Sequence, residues 1–201
     1  MKKLAITLMF VGLAIAGCNS TEKESASETT ASQVEAEEAV TAVTKEGLVQ
    51  AKFPVGWYDN PDEHPYDLQY FSGDQRTNTG IFVYNRSDFA SDMKAADVLN
   101  LQIEDLNSKR ENFVVVEPEN TAKFADKKIT TATYSGDKDQ SKFNYKFSVV
   151  EFTEYPDVLA IALQVTFPSE WEQKQPVLME ILESFEVIPP APAEAESETP
   201  E

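Results

Sequence analysis

The only histidine of this 201-residue chain, His64, sits in the stretch FPVGWYDNPDEHPYD, Phe53 to Asp67, among Asp59, Asp62, Glu63 and Asp67. An imidazole nitrogen and several carboxylate oxygens can share a divalent cation, and Pro61 and Pro65 would stiffen a loop that gathers them. Asp59, Asp62, Glu63, His64 and Asp67 are therefore candidate metal ligands, with a solvated acidic turn as the plainer alternative. Their spacing matches no helix-flanked calcium loop, and neither H-E-x-x-H nor C-x-x-C occurs in the chain.

A single histidine also restricts covalent catalysis. A serine nucleophile needs a base and a turn that presents it, yet G-x-S-x-G is missing, and the seven glycines form no phosphate-binding cluster. Carboxylates are too numerous for any pair to mark glycoside hydrolysis. No enzyme activity and no cofactor are expected. The remaining contact candidates are aromatic. Tyr58 and Tyr66 flank the acidic turn, where an amphipathic ring can anchor a protein partner, whereas Trp57 is expected in the core.

The formal net charge is −18, from 35 acidic and 17 basic residues. Every section of the chain after residue 17 is net acidic, which disfavours charge-driven binding to nucleic acid or to anionic headgroups. Lys123, Lys127, Lys128 and Lys138 are expected as solvated lysines beside a hairpin.

Composition divides the chain into four parts. Residues 1–17 open Met1-Lys2-Lys3 and continue as an apolar run to Gly17, too short to span a bilayer, which reads as a signal peptide. Residues 18–44 lack aromatics and prolines and read as a disordered acidic tether, and residues 189–201 as a disordered acidic tail. Residues 45–188 are expected to fold as a single domain.

Cys18, the only cysteine, has no partner for an intramolecular disulfide. Ile15-Ala16-Gly17-Cys18 resembles the lipobox of bacterial lipoprotein precursors. The resemblance implies cleavage before Cys18, acylation of its sulfur and of the new amino terminus, and a bilayer partner reached through the lipidated Cys18. Two or three acyl chains would make such an anchor effectively permanent. As a random coil, residues 19–44 would span about 28 Å from the membrane. Asn19, where aspartate would mark inner-membrane retention, implies an outer-membrane address facing the periplasm.

Strand patterns dominate the domain. They cover GLVQAKF up to Phe53, DLQYF from Asp67, GIFVYN from Gly80 after a loop at 72–79, FVVVE from Phe113, AKFAD from Ala122 and KITTATYS from Lys128. In SKFNYKFSVVEF, Phe143, Tyr145, Phe147 and Val149 alternate with polar residues, the pattern of a half-buried strand. In DVLAIALQVTF, large residues alternate with Ala160 and Ala162, as expected for a central strand covered on both faces. Ala96, Leu99, Ile103 and Leu106 form a helical stripe. A second helix is expected from Pro176 to about Ser184, after a short turn capped by Ser169 and Glu172.

These elements define an α+β fold, an antiparallel sheet flanked by helices. With Phe53-Pro54-x-Gly56-Trp57 early and Ser184-Phe185-Glu186-Val187 at the close, the order resembles the PsbP-like superfamily. That superfamily includes photosystem II lumen proteins, a Ran-binding import factor and DcrB-type lipoproteins. The resemblance implies an α/β/α sandwich and a noncatalytic envelope lipoprotein that binds another envelope protein. The alternative is a small-molecule or metal binder using residues 59–67.

Overall fold

The computed structural model describes residues 39–60 and 64–189. The signal peptide, Cys18, most of the tether, Asp62, Glu63 and residues 190–201 lie outside the described residues. Ten strands and two α-helices follow in the order β1 (Val40–Val43), β2 (Val49–Phe53), β3 (Tyr58–Asp59), β4 (Leu68–Phe71), β5 (Thr77–Asn85), α1 (Ala95–Asn107), β6 (Glu111–Lys123), β7 (Lys127–Lys138), β8 (Ser141–Phe152), β9 (Val158–Thr166), α2 (Trp171–Glu183) and β10 (Glu186–Val187). The main sheet has the antiparallel order β3-β4-β5-β9-β8-β7-β6, and a small sheet has the order β1-β2-β10.

Two hydrophobic clusters lie on opposite faces of the main sheet. On one face Ala95, Val98, Leu99, Ile103 and Leu106 of α1 pack on Tyr145, Phe147, Val149, Leu159 and Ile161. On the other, Leu178, Ile181 and Leu182 of α2, with Phe185, join Val49, Ala51 and Phe53 over Ile81, Val150, Ala160 and Ala162. The size alternation in β9 thus has a cause: large residues face α1, and the small alanines make room for α2. Phe185, Leu178, Ile181 and Leu182 are almost wholly buried, and each such burial contributes roughly 1.5–3 kcal/mol.

The three-layer α+β fold agrees with the sequence reading, while several elements differ from it. The expected tether boundary moves, because Val40–Val43 form β1 and pair with β2 from Val40 opposite Phe53 to Val43 opposite Gln50. The edge of β2 takes up this short segment, and only Ala42 of it reaches the core, while Val40 and Val43 stay exposed. The strands expected at Phe113 and Ala122 are one strand, β6, whose register shifts at three irregularities. In β8 the polar residues Asn144, Lys146 and Ser148 are buried, since α2 covers the face expected to meet water. Helix α2 begins at Trp171 and runs through Pro176, with no side-chain capping bond at its start. Lys127, expected in solvent, is 3% exposed and caps the end of α2.

Candidate functional site

The acidic turn is set by the backbone that precedes it. The Trp57 N–H donates to the Pro54 carbonyl at 3.1 Å, and Gly56 has φ +79°, as the third position of a type II turn requires. Trp57 is thereby turned into the core, its ring centroid 5.9 Å from that of Phe53. Tyr58 follows on β3 with its ring outside, 37% exposed and 6.1 Å from Phe71.

The sequence candidates do not converge among the described residues. Asp59 is exposed on β3, opposite Tyr70. Asp67 directs its carboxylate back into the fold, where it accepts the Val83 N–H at 2.7 Å. Tyr66 is half-buried, with its ring 4.7 Å from that of Phe82 and against the backbone of Gly80. Burial pushes the Tyr66 phenol above its ordinary value, with Arg110 opposing. His64 lies 6.0 Å from Tyr66 between ring centroids, and its Nδ1 is buried without a hydrogen-bond partner among the described residues. Among those residues no group of three or more His, Cys, Asp or Glu gathers as a metal site. The turn therefore brings His64 and Tyr66 together and leaves Tyr58, Asp59 and Asp67 with separate neighbours.

A second place with chemical character lies under α2. The main sheet is wider than the helix that covers it, so a cleft of about 670 Å³ opens between α2 and strands β6, β7 and β8. Glu117, Asn120, Thr131 and Lys146 line it from the sheet, and Gln175, Pro176 and Met179 from the helix. Glu117 is held by three donors, Thr133 Oγ1 at 2.9 Å, Trp171 Nε1 at 3.2 Å and Gln175 Nε2 at 2.7 Å. Two of these sit one helical turn apart and fasten the start of α2 to β6.

Lys146 stands beside this carboxylate on a buried polar rung, opposite Thr133 on β7 and Gln164 on β9. The residue is 4% exposed, and Nζ lies 6.0 Å above the Trp171 ring. It makes no hydrogen bond or ion pair among the described residues. Burial lowers the Lys146 pKa from its ordinary value, and the negative charge of Glu117 partly restores it. Alternation placed Lys146 on a solvent face. The available signal was its rung mate Gln164, a polar residue inside the apolar run of β9.

A third feature is the β6 edge of the main sheet, unpaired on its outer side among the described residues. Val114, Val115 and Val116 of β6 are 54%, 55% and 41% exposed. Register shifts on either side of Val114–Val115 interrupt the alternation that would otherwise turn part of this run inward.

No protein-family model matches this sequence, and no curated protein matches it. Solved structures do. Cyanobacterial PsbP (CyanoP) from Synechocystis superposes with a TM-score of 0.58 at 13% identity, over 78% of this chain and 96% of that one. The Ran-binding protein Mog1p of Saccharomyces cerevisiae gives 0.54 at 11% identity, over 75% and 95%. LpqN, involved in cell envelope biogenesis in Mycobacterium tuberculosis, gives 0.53 at 12% identity, over 76% and 91%. The chain therefore has a PsbP-like fold, which by itself specifies no activity.

Proposed function

We propose that this chain is a noncatalytic envelope lipoprotein whose PsbP-like domain binds another envelope protein through the β6 edge. The observation that carries this reading is the run of three exposed valines on an edge strand whose outer side is unpaired among the described residues. Exposed apolar residues on an open edge are avoided unless they are covered in use. Glu111 and Glu119 are exposed along the same strand, and the chain carries a net charge of −18. The partner surface is accordingly apolar with a basic rim. The similarity in fold to a Ran-binding protein and to an envelope-biogenesis protein supports a binding role.

Cross-linking in intact cells from a photoreactive residue at position 115 tests the reading. One dominant protein adduct is expected, and Val114→Lys should weaken it severalfold; labelling equal to that from an exposed position on α1 would defeat it. The lipid anchor is tested separately. Cys18→Ser should move the protein from the membrane to the soluble fraction, and retention with the membrane would exclude the acylated cysteine as the anchor.

A further inference from the structure

We propose that the cleft between α2 and strands β6–β8 binds a small molecule carrying one carboxylate on an apolar body, with Lys146 as its counter-ion. A cation taken out of water is costly unless it is paired and hydrogen-bonded. Lys146 is 4% exposed and lacks such a partner among the described residues, although Glu117 lines the same cleft. The Glu117 carboxylate is instead held by Thr133, Trp171 and Gln175. Lys146 therefore brings an ammonium without a protein acceptor among the described residues to the lining of a cleft of about 670 Å³, within the roughly 300–1,000 Å³ range of small-molecule sites.

The lining selects the rest of the ligand. Ala122, Ile129, Pro176 and Met179 supply apolar wall. Asn120 lines the same cleft and supplies an amide donor. Glu117 and Glu119, also in the lining, oppose any negative charge beyond the one that Lys146 pairs, which disfavours a polyanion such as a nucleotide.

Ligand-observed NMR and calorimetry on the full-length protein decide it, with 3-phenylpropionate and 4-methylvalerate as probes and 3-phenylpropanol and citrate as controls. Both monocarboxylates should bind at millimolar concentration or below, and the controls should not. Lys146→Met should weaken binding at least tenfold. Met179→Trp, which fills the cleft from α2 and leaves the lysine in place, should also block it. Should Lys146→Met fail to fold, Met179→Trp and the pH profile carry the test. Binding should fall as pH rises toward the ordinary lysine value of 10.5, because Lys146 loses its charge below it. Equal binding of 3-phenylpropanol, unchanged affinity in folded Lys146→Met or in Met179→Trp, or no binding of either monocarboxylate would overturn the proposal.

Discussion

Lys127 and Lys146 are both buried, and they differ in what surrounds the ammonium. Lys127 Nζ donates to the carbonyls of Glu183 at 2.7 Å and Phe185 at 2.5 Å and pairs with Asp126 at 3.1 Å. A cation at the end of a helix also meets the negative end of its dipole. Lys127→Met removes these bonds and leaves the carbonyls under cover, so a loss of about 2–3 kcal/mol is expected in urea denaturation. Lys146 lacks such partners, and its pKa is lowered by burial with Glu117 opposing. Between that lowered value and 10.5 the folded chain holds fewer protons than the unfolded one, so stability rises with pH through this window. Lys146→Met has no such titration. Its stability gain over the wild type should be largest near neutrality and shrink as pH approaches 10.5, as parallel urea titrations at pH 7.5 and 10 would show. A gain that grows with pH would contradict the assigned direction.

Helix α2 continues through Pro176, whose ring nitrogen cannot donate to Glu172 four residues earlier. Pro176→Ala restores that donor and should raise stability by about 1–3 kcal/mol, read as a higher urea midpoint with an unchanged slope. Proline marks a helix start more reliably than it excludes a helix interior. Here Leu178, Ile181, Leu182 and Phe185 bury enough surface to hold the earlier turn in place, which local sequence does not reveal. The same limit applies to β8. Period-two alternation gives the same pattern whether the polar face meets water or a second layer, so Asn144, Lys146 and Ser148 read as exposed and are buried. The α1 stripe at Leu99, Ile103 and Leu106 and the central position of β9 were legible because both are apolar patterns whose period is set within one element, although Ala95 and Val98 stand in the buried face where Ala96 was expected. The turn at Gly56 was legible as a fold signature, while the cleft was not, since its walls are brought together from β6, β8 and α2 only by topology.

The whole molecule is set by its charge. With 35 acidic and 17 basic residues, repulsion among carboxylates opposes the compact state, and salt screens it over a Debye length of about 10 Å at 0.1 M. Salt also weakens the surface pairs Lys109–Asp105 at 2.7 Å and Lys128–Glu151 at 2.8 Å. Such exposed pairs contribute only about 0–1 kcal/mol each, so screening of the net −18 should dominate. The melting temperature is expected to rise between 10 mM and 500 mM NaCl. Association through the β6 edge should respond in the opposite sense, because attraction between an acidic domain and a basic rim steers encounter and is screened by the same ions. The association rate should therefore fall with NaCl while dissociation from the valine contact changes little. A melting temperature that falls with salt would mean that specific ion pairs outweigh the net charge. An association rate indifferent to salt would leave the apolar contact in place and remove the basic rim from the description of the partner.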